Sequence, residues 1–108
     1  MINLDFNIKY SEQSANDLSE IISYIKDDLC SPIAAKNFYT TVKEKLEFLR
    51  EHPYMYPLYH DKKLSKKGYR YIVIGNYLIF YIIDKESSIV NILRILYSGR
   101  DMFAIFDE

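Results

Sequence analysis

Hydrophobic and polar residues alternate strictly at the start of the chain. Ile2, Leu4, Phe6, Ile8 and Tyr10 are separated by single polar residues. A period of two is typical of a strand that has one face on a core and the other in solvent. The sequence therefore predicts a first strand over residues 2–10.

The period then changes to steps of three and four residues. Apolar residues from Ala15 to Leu29 form the stripe of an amphipathic helix. Ser14, with Asp17 three residues later, is predicted to cap the start of this helix.

A second helix is predicted to begin at Ser31-Pro32 and to end before Pro53. Ser is a favoured N-cap, Pro suits the first helical position, and the residue before a Pro disfavours helical dihedral angles. Because the join between the two helices is short, they are expected to form an antiparallel hairpin.

Residues 53–68 have no regular period, so we expect a loop, with a basic and flexible end from Lys62 to Gly68. Three β-rich runs follow over residues 69–74, 77–83 and 89–97, and the first two are separated only by Gly75-Asn76. This dipeptide predicts a tight hairpin. Residues 100–108 are expected to form a short helix or a tail.

The order β-α-α-β-β-β predicts an α+β fold of two layers. The three later strands form an antiparallel meander, and the first strand joins the same sheet because it would be unstable alone. We expect the whole sheet to be antiparallel and the helical hairpin to cover one of its faces.

Composition agrees with one globular domain over residues 1–108, since 49% of residues are hydrophobic and 27% are charged. The single cysteine, Cys30, excludes an internal disulfide. No apolar run is long enough to cross a bilayer, and the start of the chain lacks the pattern of a signal peptide. We therefore expect a cytoplasmic protein with no membrane partner.

Charge is distributed unevenly along the chain. Residues 1–51 carry nine acidic and six basic residues, whereas residues 52–108 carry six acidic and eight basic ones. The cations of the second half allow two interpretations, a converging patch or a solvated loop plus strand arginines paired with acids. With the nearby tyrosines, a converging patch would have the ingredients of single-strand RNA recognition. These cations are Lys62, Lys63, Lys66, Lys67, Arg70, Arg94 and Arg100.

No metal site or cofactor is expected. His52 and His60 are eight residues apart and have no third ligand at a suitable spacing. The chain has only three glycines, so it offers no glycine-rich phosphate loop.

Three segments resemble the toxins of the RelE/ParE superfamily. Residues 15–25, beginning Ala-Asn-Asp-Leu, resemble the opening helix of these toxins. Residues 69–81, with Gly-Asn-Tyr-Leu-Ile-Phe-Tyr, resemble their central hairpin, and residues 92–101, closing in Ser-Gly-Arg-Asp, resemble the last strand and its exit. The resemblance covers nearly the whole chain.

The resemblance implies a bacterial toxin of a type II toxin–antitoxin system, of the kind associated with plasmid stabilization and growth inhibition. A cognate antitoxin would neutralise it, and the expected assemblies are a toxin dimer or a hetero-oligomer with the antitoxin. In one branch of the superfamily, the RelE-like toxins cut mRNA on the ribosome. The ParE-like branch inhibits DNA gyrase and cuts nothing.

Two positions depart from the RelE-like pattern. Leu78 stands where that branch has an arginine, and Phe106 stands where it has a tyrosine, although Arg70 and Arg100 match basic positions. The resemblance therefore favours a ParE-like gyrase inhibitor that is not an enzyme. The alternatives are an mRNA interferase, with Arg70, Arg94 and Arg100 as catalytic candidates, and a non-toxic protein-binding module.

For contact with the target, the charge pattern and the resemblance together single out one set of residues. Asp101 is included because it would orient Arg100. The set is Lys66, Lys67, Arg70, Arg94, Arg100 and Asp101.

Overall fold

The computed structural model describes residues 5–100 and 105–106. Its elements, in chain order, are β1 (Asn7–Tyr10), α1 (Glu12–Ser23), α2 (Pro32–Leu49), α3 (Lys62–Lys66), β2 (Arg70–Ile74), β3 (Tyr77–Asp84) and β4 (Ile89–Tyr97). The predicted order of one strand, two helices and three further strands is confirmed, and α3 is an addition to it.

The four strands form one sheet in the order β1-β4-β3-β2. The predicted meander is present, since β2 pairs with β3 and β3 with β4 in antiparallel fashion. β1 instead runs parallel to β4, with Asn7 opposite Ile89 and Tyr10 opposite Ile92. The expectation of a wholly antiparallel sheet was therefore wrong.

The direction of β1 follows from the long connection that contains the helices. A helical crossover can return the chain to the sheet in the direction of the strand it left, as parallel pairing requires. β2 and β4 then share that direction, because each of the two hairpins reverses the chain. Residues 1–4 of the predicted first strand lie outside the described residues, and within those β1 begins at Asn7.

Helix α1 begins three residues earlier than predicted, and Ser11 rather than Ser14 is its N-cap. The Ser11 side chain accepts a hydrogen bond from the Ser14 amide at 3.0 Å, and the Ser14 hydroxyl donates to the Ser11 carbonyl at 2.9 Å. The Ser11 hydroxyl also donates to the carbonyl of Leu93 at 2.8 Å. The cap therefore fixes the start of α1 against β4.

The short junction between α1 and α2 contains a π-helical turn and a residue with a positive φ. α1 continues into one π-helical turn over Tyr24–Asp28, and Cys30 follows with a φ of 51°. Ser31 caps α2 as predicted, with Pro32 as the first helical residue. α2 ends at Leu49, four residues before Pro53.

The core lies between α2 and one face of the sheet. Val42, Leu46 and Leu49 of α2 pack against Ile72 of β2 and Ile79 of β3, and all five side chains are buried. Removing this apolar surface from water is the main term that stabilises the two layers. We call this side of the sheet the inner face.

The basic segment predicted to be a flexible loop forms helix α3. Asp61 caps it, with its carboxylate accepting from the amides of Lys63 at 2.9 Å and Leu64 at 3.1 Å. Leu64 is only 2% exposed and holds the helix on the protein. Among the described residues, no helix has both the length and the apolar character needed to span a membrane.

Candidate functional site

The outer face of the sheet, which points away from α1 and α2, carries a second apolar cluster. Leu78, Phe80 and Leu96 form its centre and are at most 8% exposed. Further side chains cover this centre, and they are those of Tyr59, Tyr71, Leu93, Ile105 and Phe106. This face therefore presents packed aromatic and aliphatic groups.

Ring contacts hold the outer-face cluster together. Phe80 lies 4.9 Å from Phe106 and 5.0 Å from Tyr59, measured between ring centroids. Tyr59 is in turn 5.2 Å from Tyr71, and Phe106 is 5.2 Å from Tyr69. All four contacts are edge-to-face, a favoured geometry for aromatic pairs. Burial, with Asp61 and Tyr71 nearby, raises the pKa of the Tyr59 hydroxyl.

Leu78 and Phe106, where the sequence departs from the RelE-like pattern, are both members of this cluster. Neither carries a group that could bind a phosphate or move a proton. Their apolar side chains fit the surroundings in which they lie.

Arg70 points along the loop that precedes β2. One guanidinium nitrogen donates to the carbonyl of Tyr56 at 2.6 Å and lies 3.5 Å from the carbonyl of Tyr54. The guanidinium also lies 5.2 Å from the centroid of the Tyr54 ring. Arg70 thus fastens the loop to the edge of the sheet.

The Tyr81 hydroxyl fastens the same loop from the inner face. It donates to the carbonyl of Pro53 at 2.9 Å. Burial raises the pKa of Tyr81 to about 12, and the nearby positive charge of Arg70 opposes that shift.

Arg94 forms a bidentate ion pair with Asp17 of α1. The two nitrogen–oxygen distances are 2.8 and 3.0 Å, and the side chains are 20% and 12% exposed. Asp17 also accepts from the amide of Ile95 at 3.0 Å. For this arginine, the structure agrees with the interpretation as a strand arginine paired with an acid.

The register between β3 and β4 shifts beside Arg94. Phe80 pairs with Arg94 and Tyr81 with Ile92, so Leu93 is an extra residue in β4. Such a bulge re-aims the side chains beside it. β1 ends opposite Ile92. Beyond that point, the carboxylate of Asp17 accepts the hydrogen bond from the Ile95 amide at the edge of β4.

Arg100 follows the end of β4 and is exposed, with its amide donating to the carbonyl of Tyr97 at 3.1 Å. It lines a groove of about 400 Å³ between α1 and the ends of β3 and β4. Tyr24, Tyr77 and Tyr97 line the same groove. Burial, with the neighbouring hydroxyls of Tyr24 and Tyr97, raises the pKa of Tyr77.

The cations expected at the site do not form a single patch. Lys66 and Lys67 are exposed on and just after α3, next to the start of β2, whereas Arg100 lies at the opposite end of the meander. Arg70 and Arg94 are engaged within the fold between them. Asp101, expected to orient Arg100, lies outside the described residues.

Sequence reasoning also missed the tyrosine-lined groove beside Arg100 and the bond from Asp17 to Arg94. Each brings a residue of α1 or the turn after it beside the C-terminal strands, as with Asp17 and Arg94, which are 77 residues apart, and no local spacing connects such residues. The described residues contain no group of three side chains suited to a metal ion. Each histidine stacks on a neighbouring ring, His52 on Phe48 at 4.7 Å and His60 on Tyr59 at 4.2 Å.

Comparison with known families identifies the chain. The sequence model described as the ParE toxin of the type II toxin–antitoxin system parDE matches residues 8–102. The chain belongs to the ParE toxin family. It is thus a toxin of a type II toxin–antitoxin system, as the resemblance implied. A search of curated proteins found no significant match.

Solved structures of ParE and RelE toxins share the fold. The chromosomal ParDE system of P. aeruginosa aligns with a TM-score of 0.68 at 17% identity, covering 85% of this chain and 95% of the other. The RelBE2 complex of Mycobacterium tuberculosis aligns with a TM-score of 0.61 at 17% identity, over 86% and 98%. The intact E. coli RelBE complex gives 0.58 at 15% identity, over 88% and 99%. These similarities confirm the fold expected of a RelE/ParE superfamily toxin.

Proposed function

We propose that this ParE-family toxin arrests growth by inhibiting DNA gyrase and that it cuts no RNA. The observation that carries the proposal is the apolar outer face, where Leu78 and Phe106 replace the arginine and tyrosine of RelE-like toxins. Cleavage of RNA through its 2′-hydroxyl needs positioned groups that transfer protons and cations that stabilise the phosphate. The side chains of Leu78 and Phe106 supply neither.

The two strand arginines give further support. Arg94 is neutralised by Asp17, and Arg70 donates to loop carbonyls. A cation that is already bonded within the fold is poorly placed to stabilise charge on a reacting phosphate. We therefore propose that Arg70 and Arg94 contribute to target binding only by maintaining the fold.

The target-contacting residues we propose are Lys66, Lys67 and Arg100, all of them exposed. Arginine is enriched among the residues that dominate protein interfaces, and Arg100 lies beside exposed Tyr24 and Tyr97. The resemblance adds Asp101 as the residue that orients Arg100.

We further propose that a cognate antitoxin neutralises the toxin, as in the toxin–antitoxin complexes that share its fold. Exposed Tyr10 and Tyr39 flank a groove between α1 and α2 that Leu18 and Ile22 also line. A disordered antitoxin segment that folds on contact would bury this surface.

Two defined reactions on purified toxin test the target. Supercoiling of relaxed plasmid by gyrase should fail at toxin concentrations that leave translation on programmed ribosomes unaffected. Discrete mRNA cuts with normal supercoiling would instead establish an mRNA interferase. Induction that leaves growth unchanged would favour a binding module that is not toxic.

A variant pair then tests the site. Arg100→Ala should weaken gyrase inhibition by about tenfold, as expected for an interface arginine worth about 1.4 kcal/mol. Lys36→Ala, which removes one exposed cation from α2, should leave inhibition unchanged. Equal inhibition by wild type and Arg100→Ala would remove Arg100 from the proposed site.

A further inference from the structure

Helix α3 and the residue after it carry four exposed lysines within six positions. Lys62 and Lys66 are one helical turn apart, as are Lys63 and Lys67, so the cations form two adjacent rows. With Asp61 included, the segment has a formal charge of +3. We call these four residues the lysine helix.

The position of the lysine helix is fixed by hydrogen bonds at both of its ends and by the burial of Leu64. Asp61 caps the start, and Leu64 is buried against the protein. At the other end, the amide of Gly68 donates to Ser65 at 3.0 Å and that of Tyr69 to Leu64 at 3.0 Å, with Gly68 at a φ of 85°. The lysine backbone is therefore held in one geometry before any partner binds.

Three of the four charges of the lysine helix, those of Lys62, Lys66 and Lys67, have no neighbouring carboxylate as an ion-pair partner in the part of the chain that the structure describes. Oδ1 of Asp61 accepts both hydrogen bonds of the helix cap, and the negative charge of Asp61 is included in the net charge of +3. A cationic surface that leaves its charge to solvent is suited to a polyanionic partner.

The packing of the neighbouring aromatic rings favours one class of polyanion over another. Proteins that bind single strands stack bases on open aromatic faces beside a basic groove. Here the Tyr59 ring contacts those of His60, Tyr71 and Phe80, and Tyr69 contacts Phe106. Because these rings pack against one another, we expect contacts to phosphates rather than to stacked bases, and duplex DNA presents about one phosphate per 1.7 Å of helix axis.

We propose that the lysine helix binds the phosphate backbone of duplex DNA, without reading its sequence. Lysine ammonium groups act as point charges on phosphates and carry no sequence information there. This activity goes beyond gyrase inhibition and is measured without gyrase, so either proposal can fail while the other stands.

Fluorescence anisotropy of a labelled duplex of mixed sequence, titrated with the full chain, tests the proposal. With three phosphates contacted, the logarithm of the association constant should fall with the logarithm of salt concentration with a slope of about −3. The triple variant Lys62→Gln, Lys66→Gln, Lys67→Gln should bind at least tenfold more weakly at roughly 50 mM salt and show a slope nearer −1.

The matched control removes the same charge from three lysines outside the lysine helix. Lys9→Gln, Lys26→Gln, Lys36→Gln changes three exposed lysines on β1, the π-helical turn and α2, and it should bind like wild type. Far-ultraviolet circular dichroism and thermal unfolding verify that both triple variants fold.

Equal weakening in the two triple variants would overturn the proposal, because it would reflect net charge alone. Tighter binding to the single strand of the same sequence would indicate base stacking and overturn the duplex assignment. Preferential binding to polyglutamate over duplex at equal salt would assign the lysine helix to an acidic protein surface instead.

Discussion

The carboxylate of Asp17 links α1 to two neighbouring residues of β4. It lies on α1, pairs with Arg94 of β4, and accepts from the amide of Ile95 where β1 no longer borders β4. Removing one partner of a buried ion pair costs about 3–5 kcal/mol because the other charge stays behind, desolvated. The partial exposure of this pair places the cost near the lower limit.

We therefore expect Asp17→Ala to lower the free energy of unfolding by about 3 kcal/mol and Arg94→Ala by a similar amount. The double variant should lose less than the sum of the two, since each single change already breaks the same pair. Urea denaturation measures all three. Glu20→Ala, on the exposed side of α1, should change the value by less than about 0.5 kcal/mol. Additive losses would contradict this role for the pair.

Tyr81 predicts a pH dependence in the alkaline range. Its pKa is about 12 in the folded protein and 10.0 in the reference state. A hydroxyl with a raised pKa stabilises the fold fully below pH 10, and that contribution is lost as the pH rises from 10 to 12. The loss amounts to about 2–3 kcal/mol, because one pKa unit corresponds to about 1.4 kcal/mol.

Urea unfolding at several pH values measures this loss. The Tyr81→Phe variant should be less stable than wild type at neutral pH, because the carbonyl of Pro53 loses its donor. Its stability should then fall less steeply above pH 10. Parallel curves for the two proteins would show that other groups cause the alkaline loss.

At the scale of elements, α3 illustrates how one buried residue orders a polar segment. The segment consists mostly of lysines and has no apolar period, so local sequence gives it little reason to form a helix. Leu64 supplies the tertiary contact, and most helices in proteins derive their stability from such contacts. Order in α3 should therefore depend on Leu64 more than on any of its lysines.

Leu64→Ala should lower the free energy of unfolding by about 2–3 kcal/mol, at the low end for a buried leucine near the surface. It should also speed hydrogen exchange at the amides of Gly68 and Tyr69, which donate to the carbonyls of α3. Lys66→Ala, an exposed change in the same helix, is the control and should leave exchange unchanged. Slow exchange in Leu64→Ala would mean that the cap and the turn suffice to order α3.

At the scale of the whole molecule, the sheet separates two apolar clusters. The inner cluster is sealed by α2, whereas the outer one is sealed by aromatic side chains from the loop, the strands and Phe106. A domain of 108 residues buries a smaller fraction of its surface than a large domain does. Because its buried apolar surface is limited, each cluster contributes substantially to its stability. The outer cluster accordingly has a structural role, in line with its proposed lack of catalytic chemistry.

Two phenylalanines of the outer cluster differ in burial, so their removal should differ in its effect on stability. Phe80→Ala should lower the free energy of unfolding by about 3–5 kcal/mol because the ring is fully buried. Phe106→Ala should cost about 1–2 kcal/mol, since this ring is only partly covered. Thermal unfolding measures both, and growth arrest on induction should persist in Phe106→Ala. Loss of toxicity in a folded Phe106→Ala protein would assign the outer face a part in target binding.

The sequence by itself determined the elements whose signals are local. Strict alternation places β1, steps of three and four place both helices, and Gly75-Asn76 gives the hairpin between β2 and β3. Gly75 has a φ of 56°, a value that most side chains disfavour, so this dipeptide predicts the turn directly. These signals suffice for the fold class because periodicity and turn chemistry act over a few residues.

The tertiary structure alone decided the direction of β1, the order in α3 and the bonding of the arginines. Arg94 and Asp17 are 77 residues apart in the chain, and Arg70 meets the carbonyl of Tyr56 across a loop. A cation's neighbours depend on which distant segments the fold brings beside it, and residue type does not specify them. The cations expected at the target site were thus divided between an exposed lysine helix, two bonded arginines and a separate groove at Arg100.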